Sequence, residues 1–140
     1  MSVMEVLLPV FVQVILTFFV VFVLALKRTS LIRAREVRMK DIALREPNWP
    51  ERARQYENNY LNQFELPVLF YVLMILLLIT RQADIIQVAL AWIFVLTRVA
   101  HAYVHVTSNR VPVRGALFGI GLLVLAVMWG LFMVSIIRVY

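Results

Sequence analysis

Residues 6–26 read VLLPVFVQVILTFFVVFVLAL, twenty-one positions interrupted only by Pro9, Gln13 and Thr17. A run this long and this apolar is a membrane-spanning helix before it is anything else. A secretory leader would carry a basic segment ahead of a shorter apolar stretch. Here Glu5 is the only early charge, no small-x-small cleavage pattern follows, and the run ends in Lys27-Arg28. The stretch is therefore expected to be a retained first span.

Outward from this run, the rest of the chain repeats the pattern. Hydrophobic residues are 63% of the 140 and charged residues 16%, with a mean hydropathy of +0.87. A soluble domain of this length cannot hide that much apolar surface, so lipid has to cover part of it. Three further spans are expected at about 58–79, 84–106 and 112–137. Pro47 and Pro50 flank Asn48-Trp49 in a turn that delivers the chain into helix 2, with Pro50 near its first position. That helix is read as continuous from about 50 to 79, roughly 45 Å at ~1.5 Å per residue, so its first turns project into the cytoplasm. Residues 80–84 and 107–111 are short connections, and Pro112 opens helix 4. Short connections make consecutive helices antiparallel neighbours. The expected fold is an all-α integral membrane protein, a single antiparallel four-helix transmembrane bundle over residues 1–140.

The net charge of +6 would suit nucleic acid, but its distribution does not. Nine of the fourteen basic residues lie between Lys27 and Arg54, directly after a span: Lys27, Arg28, Arg33, Arg35, Arg38, Lys40, Arg45, Arg52 and Arg54. That is the signature of a cytoplasmic loop beside anionic membrane lipid, and no nucleic-acid partner is expected. Arg110 and Arg114 mark the third connection, whereas the second carries Arg81 offset by Asp84. Both termini are accordingly expected on the non-cytoplasmic side.

Polar residues inside spans cost free energy and are the first candidates for function. Asn58, Asn62 and Glu65 recur at spacings of four and three and so share a helix face. Gln87, Ala91, Phe94, Arg98, His101 and His105 form a second stripe, which has to face protein or water. Glu65 precedes Ile79 by 14 residues and Arg98 follows Asp84 by 14, so both lie roughly 21 Å from the same end. An intramembrane Glu65–Arg98 ion pair is expected, either structural or functional. His101 and His105 stand i, i+4, a metal-compatible spacing, but no third ligand is evident and no metal is expected. Gly115 and Gly119 form a small-xxx-small pair, ordinarily a site of close helix packing. Arg114, at a helix N-terminus, either favours an anion or snorkels to the headgroups. The absence of cysteine means that any thiol has to come from a ligand.

Arg98-Val-Ala-His101 followed by Arg110-Val-Pro-Val-Arg114, with Asn62-x-x-Glu65 and Pro67 upstream, resembles the signature of the MAPEG family. The name stands for membrane-associated proteins in eicosanoid and glutathione metabolism, and the likeness is to its prostaglandin E synthase and glutathione transferase branch. The resemblance implies a homotrimer with glutathione sites between subunits, open toward the cytoplasm. It implies that Arg114 holds glutathione as its thiolate and that Asn62 and Glu65 contact the tripeptide. By the same likeness Arg98 partners the helix 2 glutamate, His101 lines the cavity, His105 replaces a tyrosine, and Lys27 or Arg28 is the basic residue ending helix 1. The sequence departs from the enzymatic pattern at Asn58 and Leu61, where arginines are usual, and at Gly115 and Phe118, where hydroxyl-bearing residues stand.

The implied function is a glutathione-dependent transferase or peroxidase acting on lipophilic electrophiles that arrive through the bilayer. A non-catalytic relative that binds a lipid or a partner protein is the alternative. A third is an accessory or transport subunit using the Glu65, Arg98 and histidine stripe for protons or ions.

Overall fold

A computed structural model describes residues 1–44 and 47–140, so Arg45 of the basic connection lies outside the described residues. Five α-helices follow in order: α1 (Val3–Arg33), α2 (Glu51–Asn62), α3 (Leu66–Ile79), α4 (Ile85–Val106) and α5 (Val111–Val139), with a 3₁₀ turn at Met39–Ile42. Among the described residues there is no strand. With α2 and α3 taken as one interrupted helix, four helices are long and apolar enough to cross a membrane. The chain is an all-helical membrane four-helix bundle.

α1 begins before the apolar run because Ser2 and Glu5 close a capping box. The Glu5 N–H donates to Ser2 Oγ at 3.2 Å, and the Ser2 N–H donates to Glu5 Oε2 at 2.7 Å. It continues past Leu26 to Arg33, so the basic connection starts as helix rather than loop. Arg35 stops it in the left-handed region (φ 56°), with Glu36 N–H bonded back to the Leu31 carbonyl at 3.1 Å. Arg81 (φ 56°) and Asn109 (φ 48°) end α3 and α4 in the same conformation.

Helix 2 departs from the sequence expectation. It is not continuous from 50 to 79 but breaks over Gln63-Phe64-Glu65 into α2 and α3. Pro67 is the cause: it has no N–H for the Gln63 carbonyl and its ring collides with that carbonyl. The backbone answers with tighter i→i−3 bonds, from Gln63 to Tyr60 and from Phe64 to Leu61, each 3.0 Å. The four-and-three face argument for Asn58, Asn62 and Glu65 therefore fails as a helical argument at Glu65.

α4 is the central helix, packing against α1, α2 and α5. Its core is apolar: Phe94 stacks on Phe70 of α3 at 4.8 Å between ring centroids, with Leu73, Met74, Leu125 and Met128 buried around them. α1 and α5 turn most of their side chains outward, as Phe18, Phe19, Leu123 and Ile137 illustrate, which suits a lipid surround. The close approach of α5 to α4 occurs at Gly121, where an added Cβ would lie 3.0 Å from Thr97 Oγ1. Gly115 and Gly119, expected to be packed, have open space at the same position, so they are not the packing point within the chain.

The break also buries a polar contact. Gln13, one of the three interruptions in the first run, donates through Nε2 to Gln63 Oε1 at 3.1 Å, and Gln63 Nε2 donates to the Asn59 carbonyl at 3.3 Å. Gln63→Leu, by stripping Gln13 of this partner, is expected to lower stability by about 1–2 kcal/mol. Adding Gln13→Leu recovers most of the loss, as thermal unfolding in detergent would register.

Candidate functional site

At the end of the bundle shared with the basic connection, α2, α4 and α5 diverge around an open cleft of about 370 Å³. Asn58 and Asn62 reach it from α2, Glu65 from the helix break, His101 and His105 from α4, and Arg114 from the first turn of α5. Leu61, Val111, Gly115 and Phe118 complete the lining. A volume of this size lies in the range of small-molecule sites, roughly 300–1,000 Å³. The Pro67 break lets Glu65 join Asn58 and Asn62 even though the three are not on one continuous helix.

The α4 stripe is buried along its whole length, and the expectation that it faces protein is met. Its members have different duties. Gln87 donates to the Met128 carbonyl at 3.0 Å and ties α4 to α5. Gln55 Nε2 donates to the His105 carbonyl at 2.6 Å and ties α2 to α4 beside the cleft. The His101 and His105 rings meet edge to face at 5.7 Å. Arg114, half-buried, donates from Nη1 to Asn109 Oδ1 at 2.7 Å and faces His105 Nε2 at 3.4 Å. A guanidinium can only donate, so in this contact His105 Nε2 is the acceptor. The fixed charge of Arg114 thereby stands at the cleft with donors to spare for an anion.

Arg98 does not form the expected ion pair. Among the described residues the ion pairs are Arg28–Glu57 at 2.8 Å and Arg38–Asp41 at 3.9 Å, and Glu65 is exposed at the cleft. The break at Pro67 sets Glu65 outside both α2 and α3, from where it acts on the Arg98 charge at longer range. Arg98 is wholly buried behind the histidines. Its Nη2 lies 3.4 Å from His101 Nδ1 and its guanidinium 5.8 Å from the Phe118 ring, while Nε and Nη1 have no partner among the described residues. Among the described residues Glu65 makes no close ion pair but favours the buried Arg98 charge at longer range, so Glu65→Ala is expected to lower stability by no more than about 1 kcal/mol, a shift that thermal unfolding resolves.

Arg28 stands apart from the cleft. It pairs with Glu57 and stacks on Trp49 at 4.8 Å, joining α1 to α2 and the chain before it. The structure thus brings together Asn62, Glu65, His101, His105 and Arg114, holds Arg98 beneath them, and leaves Arg28 elsewhere. Sequence reasoning missed Asn109 and Gln55. Asn109, a polar residue ending α4 just before the Pro112 helix start, was the available signal for the first; Gln55 had none. No cluster of three or more His, Cys, Asp or Glu side chains suited to a metal occurs among the described residues.

The model of the MAPEG family fits residues 6–134 of the chain. No curated protein and no solved structure matches it.

Proposed function

We propose that this chain, which belongs to the MAPEG family, is a glutathione-dependent transferase or peroxidase acting on lipophilic electrophiles in the membrane. The observation that carries the proposal is the convergence of Arg114, Glu65, Asn62 and the two histidines on one cleft of ligand size. Those donors suit the ends of glutathione unequally. Arg114 suits the sulfur, because a neighbouring cation lowers a thiol pKa. Glu65, which makes no close ion pair among the described residues, suits the tripeptide ammonium, and the Asn62 carboxamide can bond to its backbone.

Glutathione, when bound, supplies the thiolate nucleophile that the cysteine-free chain lacks. Arg114 stabilises negative charge at the sulfur position, with its guanidinium oriented by Asn109 and His105. His105 is held by Gln55 through its backbone and keeps the α4 wall in register with α2. Leu61, Val111 and Phe118 give the cleft an apolar side on which a lipophilic substrate can rest. In this reading the protein is a homotrimer whose cleft opens on the cytoplasmic side, with both termini opposite.

A second reading, a non-catalytic binder of lipid or partner protein, draws support from the same cleft. Asn58 and Leu61 offer no cation to the glutathione carboxylates, and Arg28 is committed to Glu57. The deciding experiment is glutathione-dependent consumption of an apolar aryl halide or lipid hydroperoxide by the purified protein. Saturable turnover supports the enzyme; none at millimolar glutathione supports the binder.

A further inference from the structure

On the other side of the α2–α4 wall, a groove of about 280 Å³ runs between α1, α2 and α4. Val20, Val99 and Ala102 form its apolar floor and sides, and Tyr56 and Tyr103 stand toward its loop-side end. Its neighbours on α2 and α4 are one residue displaced from those of the cleft: Asn59 here against Asn58 there, Ala102 here against His101 there. The two spaces therefore lie on different faces of the same helices, and Arg114 lines only the first.

One feature of this groove is at odds with a plain lipid-facing surface. Asn59 is part of its wall and is only 2% exposed, yet its Oδ1 has no hydrogen-bond partner among the described residues. A buried carboxamide oxygen without a donor is costly. Saturated hydrocarbon cannot supply that donor, and so apolar a groove is a poor place for a lone water, which needs two or more polar partners. A chain that fills the groove and carries a hydroxyl near its head satisfies both demands. The tyrosines at the loop-side end suit the boundary between acyl chain and head group, where amphipathic rings are favoured.

We propose that the groove between α1, α2 and α4 binds a neutral single-chain lipid whose hydroxyl donates to Asn59 Oδ1 once a turn of the carboxamide about its terminal torsion brings that enclosed oxygen to the groove. The site is separate from the glutathione cleft and does not depend on the reading of that cleft. It holds the lipid as a fixed component of the bundle between α1 and α4, not as an electrophile presented to Arg114.

The test is native mass spectrometry of the detergent-purified chain titrated with mono-oleoylglycerol and, separately, with methyl oleate, which has the chain but no donor. The wild type is expected to take one mono-oleoylglycerol per chain and to bind it about tenfold more tightly than methyl oleate. Asn59→Leu removes that preference while leaving the methyl ester's affinity unchanged. Ala102→Phe, which fills the floor, abolishes both adducts, and Val99→Trp at the exposed rim does the same without a change in the buried core. Val127→Phe on the outer face of α5 leaves binding intact. Equal binding of the two lipids by wild type, or adducts that persist in Val99→Trp, would overturn the proposal. So would efficient disulfide cross-linking between copies carrying Tyr103→Cys as their sole cysteine, since a second copy would then cover the groove.

Discussion

Arg114→Ala is expected to eliminate the glutathione thiolate at neutral pH and to lower glutathione-dependent turnover by about a hundredfold or more. A thiol of ordinary pKa, about 8.5, is only a few per cent ionised at pH 7. The permanent charge of a guanidinium in a partly desolvated cleft is what moves it, and among the described residues Arg114 is the one arginine or lysine that lines this cleft. Its own tethers are modest, the 2.7 Å bond to Asn109 Oδ1 and the 3.4 Å contact with His105 Nε2. Losing them from a half-buried position costs stability only about 1 kcal/mol, so the variant folds. Arg114→Lys keeps a charge without the planar fork and should fall between the two. Thiolate absorbance beside thermal unfolding separates these effects: an unchanged thiolate signal in a folded Arg114→Ala protein would remove Arg114 from the role.

Arg98→Met is expected to act in the opposite sense on stability, raising it by about 1–3 kcal/mol. The guanidinium is fully buried and two of its three nitrogens have no partner among the described residues. Its long contacts with His101 and the Phe118 ring, together with the more distant charge of Glu65, do not offset the desolvation of a full charge. Methionine fills similar space and carries no charge to desolvate. Turnover should fall less than tenfold, because Arg98 does not line the cleft and acts on it indirectly, through His101 and the charge of Glu65. Unfolding in detergent at matched protein concentration measures the first effect. Strong destabilisation would mean that a second copy of the chain or a bound anion supplies the missing partner.

The architecture was legible because lipid imposes a coarse grammar. Spans have to be apolar for about twenty residues, and the 6–26 run and the Pro112 start announce two of them directly. The α4 stripe was legible for a related reason: Gln87, Arg98, His101 and His105 could not face hydrocarbon, so their common face had to meet protein or water, and it is buried in protein. What escaped was geometry set by single residues. Pro67 was read only as part of a motif, and its break takes Glu65 off the continuous helix that the ion-pair argument assumed. Gln13 looked like a tolerated interruption, and its partner Gln63 lies off the Asn58–Asn62 face, so periodicity could not pair them. Gly115 and Gly119 carry a spacing associated with close packing, but spacing does not name the neighbour, and within the chain the contact falls at Gly121. Cleft membership was half visible for the same reason: Arg28 follows a span like a site residue, yet Glu57 and Trp49 hold it elsewhere.

The most direct test of the account is a glutathione titration of the detergent-purified protein, with thiolate absorbance followed in the ultraviolet. The account predicts saturable binding with a thiolate signal that appears at neutral pH and disappears in Arg114→Ala. Absence of both binding and signal at millimolar glutathione would contradict it, and would turn the cleft over to a lipid or protein ligand.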